Sequence, residues 1–166
     1  IVDTTVSTSQ VASKPNRISR KFLENLTGDM TISIPRNSWI KSPNILIEIE
    51  GSLDVVKEGK DFELFGKLDV IRGNFDVIGK RFKIIEGTLK FNGGREFNPE
   101  IVVESRYEFR GREKEKMFLD LNLSGELKNP SLNFTLDGRK ISEADALSYI
   151  IFGVSSEELS YGQQST

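Results

Sequence analysis

Two short stretches carry residue types at spacings that catalytic or nucleotide-binding sites use. Ser38-Trp39-Ile40-Lys41 sets a lysine three residues after a serine, the Ser-x-x-Lys arrangement of penicillin-binding hydrolases. Neither a Lys-Thr-Gly nor a Ser-Asp-Asn partner occurs, and the stretch reads as extended chain. Gly73 and Gly79-Lys80 resemble a phosphate-cradling loop, but five residues separate the glycines where four are required. Arg81 also stands where Ser or Thr would ligate magnesium. Paired turns account better for these glycines.

The chain has no histidine and no cysteine. That removes Ser-His-Asp and Cys-His nucleophiles, thiolate chemistry, disulfides and any zinc site built on imidazole or sulfur. The carboxylates sit in turns or on the polar parity of strands, where they are solvated, and no Asp/Asn-rich loop has calcium spacing. No cofactor and no metal is expected, and the chain reads as non-enzymatic. Twenty-three basic and 25 acidic residues, net charge −2, form no phosphate-neutralising stripe, so no nucleic-acid partner is expected. Most of the 11 phenylalanines share parity with Leu, Ile and Val, which suits a buried or lipid-facing surface better than a base-stacking platform.

What remains is the apolar face and the elements that carry it. Residues 1–28 are expected to be a flexible or partly ordered lead-in, with one possible helical turn over 21–26. A β domain follows over 29–153. Met30, Ile32 and Ile34 alternate with polar residues until Pro35 breaks the run; Ile45, Ile47, Ile49, Leu53 and Val55 share one parity, with Gly51 at a convenient bend. Phe62, Leu64, Leu68 and Val70 come next, then Phe75 and Val77, then Phe82 and Ile84, then Leu89 and Phe91. The clearest alternations are Ile101, Val103, Tyr107 and Phe109, and Met117, Leu119, Leu121 and Leu123, separated by a charged hairpin tip over 111–116. Asn129-Pro130 turns the chain into Leu132, Phe134 and Leu136, and Asp137-Gly138 stops it. One helix is predicted, capped by Ser142 with Asp145 three residues on and stopped by Gly153, with Leu147, Ile150 and Ile151 on a shared face. Residues 154–166 read as a polar, frayed tail.

The fold class is therefore all-β, with eight to ten antiparallel strands and one short C-terminal helix. A sandwich, a barrel and an open curled sheet all satisfy this pattern, since each needs one apolar face per strand. No apolar run approaches the ~20 residues that span a bilayer, and the start has neither Met nor a signal-peptide pattern. A piece of a longer chain is expected, with any membrane anchor outside it.

Four motifs in order resemble TamB-type C-terminal domains, members of a bridge-like lipid-transfer family. The first runs over 69–92: Arg72-Gly73 ending a strand, the turn Gly79-Lys80-Arg81-Phe82, and the strand Gly87-Thr88-Leu89-Lys90-Phe91. Asn98-Pro99-Glu100-Ile101, the stretch from Gly125 through Asn129-Pro130 to Leu132, and the helix between Ile141 and Gly153 complete the set. The resemblance covers roughly residues 43–153. It implies an elongated, taco-like curled antiparallel sheet with an apolar concave groove, in the periplasmic portion of an inner-membrane-anchored envelope protein. It implies two kinds of partner, phospholipid acyl chains and an outer-membrane barrel of the TamA or BamA type. The groove would be lined by Ile45, Ile47, Ile49, Phe62, Leu64, Leu68, Val70, Phe82, Ile84, Ile101, Val103, Tyr107, Phe109, Leu119, Leu121 and Leu123. A partner would dock on Leu147, Ile150 and Ile151. The expected function is a conduit for phospholipid between the two membranes; the alternative is a scaffold or chaperone module for outer-membrane protein assembly.

Overall fold

A computed structural model of the chain describes Lys21 and residues 24–163. The lead-in expected over 1–28 lies largely outside the described residues, although Lys21, Glu24 and Asn25 are helical. The described chain forms one antiparallel sheet in which strand order is chain order: β1 (Thr27–Ser42), β2 (Ile45–Glu58), β3 (Asp61–Val77), β4 (Lys80–Asn92), β5 (Glu100–Arg110), β6 (Lys116–Glu126), β7 (Asn129–Leu136) and β8 (Arg139–Ile141). The sheet is open, and β1 and β8 are its two edges. Among the three architectures the pattern allowed, the curled open sheet is the one adopted.

Consecutive strands pair because most connections are only two residues long. Ile78-Gly79 joins β3 to β4 with both φ angles positive, at 50° and 75°, the geometry of a type I′ turn whose twist matches that of the strands it joins. Asp137-Gly138 repeats this between β7 and β8, so the chain turns there and continues as a short eighth strand. Leu127-Lys128 turns β6 into β7, which places Asn129-Pro130 at the start of a strand and not in the turn itself. Of the glycines expected to mark paired turns, Gly79 does so, whereas Gly73 lies inside β3.

The sheet is creased across its first five strands. Register shifts fall between Ile34 and Ser38 on β1, at Glu48/Ile49 against β3, and at Ile84/Glu86 against β5. Val70 pairs with Gly87 and Gly73 with Ile84, so both β3 and β4 have two residues between those pairs, and the inward parity switches at the crease. This is why inward residues run Phe62, Leu64, Leu68, Val70 and then Phe75, Val77. Pro35 does not end β1: it sits in the bulge of an edge strand, where a missing N–H costs no ladder hydrogen bond.

The crease is pinned on the outer face by Glu48. The Asn37 backbone N–H donates to its Oε1 at 2.9 Å and Arg72 Nε donates to its Oε2 at 2.6 Å, leaving the carboxylate almost fully covered. The Arg72 guanidinium also lies 5.3 Å from the Trp39 ring centroid. The Asn37 N–H, then Arg72, hold the Glu48 carboxyl below its ordinary range. A depressed folded-state pKa adds stability that is present above the unfolded value, about 4.3, and is lost as pH falls through the folded value. Melting temperature measured from pH 6 down to pH 3 should therefore fall less steeply for Glu48→Gln than for the parent; parallel curves would remove Glu48 from the acid limb.

Two helices follow the sheet: α1 (Glu143–Phe152) and α2 (Ser156–Gln163). Helix α1 starts as the sequence predicts, with Ser142 Oγ accepting from the Asp145 N–H at 3.1 Å, and stops at Gly153, whose N–H donates to the Tyr149 carbonyl. The Asp145 carboxylate also interacts with the Ser142 side chain. It accepts from the Ser156 hydroxyl and backbone N–H, tying α2 to α1 and holding its own pKa below the usual range. Residues 156–163, expected within a frayed tail, are thus helical.

Candidate functional site: an apolar inner face sealed at one end

All sixteen residues predicted to line a groove lie on the same, inward face of the sheet, but they do not share one environment. Under α1 they form a closed core: Phe82, Phe109, Leu119 and Leu121 pack with Phe134, Leu136 and the helix residues Ala146 and Ile150. Phe82 and Leu119 have no solvent exposure. An aromatic row crosses this core, from Phe75 to Phe82 (5.7 Å between centroids), Tyr107 (5.5 Å), Phe109 (5.4 Å) and finally Tyr149 of α1 (5.9 Å). Ser105 is the one polar residue buried in this stretch of the inner face, and its hydroxyl donates to the Leu121 carbonyl at 2.8 Å.

Beyond the helix a second cluster gathers Ile49, Leu68, Val70, Ile84 and Phe91, with half-buried Ile47, Leu64, Leu53 and Val103 around it. Ile101 is buried beside it, while Tyr107 and Leu123 are half-buried against the helix-side core. Here the apolar face reaches solvent at its margins. Phe62, at the end away from the helix, is 56% exposed; Ile45, which pairs with Phe75 at the helix end of the strands, is 42% exposed, and Met30, Ile32 and Ile40 of the edge strand and Leu132 of β7 are open as well. The face is therefore covered over β4–β7, where α1 lies, and open along the β1 edge and at the end where the β2–β3 turn and the 93–99 loop meet.

The predicted docking residues divide in the same way. Ile150 is 1% exposed and, with Ala146 one turn earlier, belongs to the core, so it presents nothing to a partner. Leu147 and Ile151, one position further round each turn, point away from the sheet, and Phe152 joins them as an exposed neighbour the sequence reading passed over. Phe91, read on the apolar parity but left out of the groove set, and Phe97, not read at all, lie 5.5 Å apart and line a pocket of about 150 Å³ at the open end together with Phe62, Leu64 and Arg95. Phe97 lies outside any strand, so no alternation signals it.

A single antiparallel sheet, open and curled with its apolar face inward and no second sheet among the described residues, defines an open curled-sheet β protein. No helix among the described residues is long and apolar enough to cross a membrane. The chain belongs to the TamB family: the family model described as TamB C-terminal domain matches residues 2–166. The match extends to both sides of the 43–153 stretch that carries the resemblance in sequence. A comparison with curated proteins finds no match. Membership links the chain to the translocation and assembly module of the cell envelope, a family that works with an outer-membrane partner.

Proposed function

We propose that this domain is a non-catalytic lipid conduit, a periplasmic segment of an inner-membrane-anchored protein whose trough carries phospholipid acyl chains toward the outer membrane. The observation that supports this most directly is the uneven cover of the inner face, with apolar side chains exposed at its open end and along its edges instead of closed into one core. An acyl chain leaving water gains about 0.8 kcal/mol per methylene wherever such a wall receives it, and no reactive group is needed. The open sheet lets a headgroup remain in water while the tails follow the wall.

The test should use positions whose substitution leaves the sealed core intact. Leu121, 5% exposed beneath α1, is unsuitable, since a carboxylate there would unfold the sheet. Phe62 and the half-buried Val55 are better placed. With Phe62→Asp and Val55→Asp combined, phospholipid retained after detergent-free purification, read by native mass spectrometry, should fall by at least about tenfold, a change of ~1.4 kcal/mol. Melting temperature should hold. Parent-level lipid in that variant would sink the conduit reading.

A second reading, a docking module for an outer-membrane barrel of the TamA or BamA type, draws support from the position of β1 at the edge of the described sheet and from outward-facing Leu147 and Ile151. Partner capture that survives Phe62→Asp/Val55→Asp but is lost with Leu147→Asp/Ile151→Asp would favour it.

A further inference from the structure

The open end of the trough has a built lip. The 93–99 loop is anchored to β3 by the Gly93 N–H on the Leu64 carbonyl (2.8 Å) and the Gly94 N–H on Glu63 Oε1 (2.8 Å). On its other side Asn98 Nδ2 donates to Glu126 (3.0 Å) and Lys128 Nζ to Glu96 (2.9 Å). Behind this lip is the aromatic pocket of Phe62, Phe91 and Phe97, and Arg95 lies directly beside it.

We propose that this lip is the headgroup seat for a zwitterionic phospholipid bearing both a phosphate and an ammonium group; the proposal rests on the conduit reading. Arg95 is 81% exposed, and its Nη2 is 3.7 Å from Asp61 Oδ2, longer than the 2.7–2.9 Å of a close charge-assisted bond. Its forked N–H donors thus face solvent and suit a phosphate, which a guanidinium binds bidentately. Arg95 does not stand in a basic field. The adjoining recess is lined by Glu58, Asp61 and Glu63 together with Arg95. Glu63 is occupied by the Gly94 N–H, which leaves Glu58 and the loosely paired Asp61 to receive a cation, beside Lys57, whose Nζ donates to the Gly59 carbonyl, and Lys60, 3.7 Å from Glu24. A guanidinium and carboxylates set side by side complement a headgroup that carries both signs.

The apolar wall behind the lip has the length of an acyl chain. From Phe62 to Val70 on β3 is eight residue steps, about 26 Å of extended strand. One tail spans roughly half of a ~30 Å hydrocarbon core, about 15 Å. A tail entering past Phe62 matches this length and would take the place of the contacts that bury Leu68 and Val70 against Ile49 and Ile84.

The experiment offers the protein an equimolar mixture of dioleoyl phosphatidylethanolamine and dioleoyl phosphatidylglycerol in vesicles and reads bound species by native mass spectrometry. The parent should take the ethanolamine lipid over the glycerol lipid by about tenfold. Glu58→Gln/Asp61→Asn should erase that preference, and Arg95→Gln should lower uptake of both lipids; all three side chains are exposed, so melting temperature reports that the fold is kept. Equal uptake of the two lipids by the parent, or a preference untouched by Glu58→Gln/Asp61→Asn, would overturn the headgroup seat while leaving the conduit in place. Uptake of neither lipid would overturn both.

Discussion

Phe82→Ala is expected to lower the free energy of unfolding by about 3–5 kcal/mol, the cost of deleting a fully buried aromatic ring and leaving a cavity where it stood. Phe82 has no solvent exposure and lies in the middle of the aromatic row, between Phe75 and Tyr107. Neighbours on β3, β5 and β6 are held by their own ladders and cannot collapse into the space. At ~2–4 °C per kcal/mol for a chain of this size, the melting temperature should drop by about 10 °C. Urea denaturation of parent and variant measures the effect. The exposed Phe62→Ala serves as control, and a loss at Phe82 no larger than at Phe62 would mean that the helix-side core is not closed.

Gly73→Ala should be nearly as damaging, by about 3 kcal/mol, although it adds a single methyl group. Gly73 has φ +147°, a region side chains rarely adopt, and a Cβ there would stand 2.2 Å from the Leu46 carbonyl oxygen and 2.7 Å from Ile47 Cα. Backbone strain of ~1–3 kcal/mol and overpacking of similar size combine. Gly79→Ala is the informative comparison, because its φ is +75° but a Cβ would meet nothing within 4 Å. It should cost only the ~1–2 kcal/mol of a left-handed residue. Equal losses at the two positions, measured by denaturant midpoints, would show that close approach of β2 and β3 does not matter.

The contrast between these two glycines also shows where sequence reading succeeds and where it stops. Alternation located the inward residues of β2 to β7, even across the crease, where Val70 gives way to Phe75 and Ile84 to Leu89, but not β8 or the part of β1 beyond Pro35. The Arg72-Gly73 pair was legible as a motif but not as mechanism. Arg72 turns outward to Glu48, and Gly73 turns inward to let β2 come close, a division that depends on a cross-strand neighbour 24 residues away. Period alone could not separate Leu121 from Leu64, since both occupy the inward parity and only the position of α1 makes one core and leaves the other at the margin. Ile150 was misjudged for the same reason: helical spacing groups it with Leu147 and Ile151, while the sheet takes Ile150 and Ala146. The lip of Arg95 and Phe97 belongs to an irregular loop, on which no periodic argument acts.

Strand order that follows chain order has a consequence for how the molecule is made. Each ladder joins two segments adjacent in the chain, most of them across a two-residue turn, so each new strand closes only a short loop and can zip onto the last one as the polypeptide emerges. The inner face is the exception. Its helix-side cover comes from α1, which begins only at Glu143, after all eight strands. Phe82, Leu119 and Leu136 therefore stand as a wetted wall until the whole sheet and then α1 have been synthesised, and through that interval the nascent chain is at its stickiest.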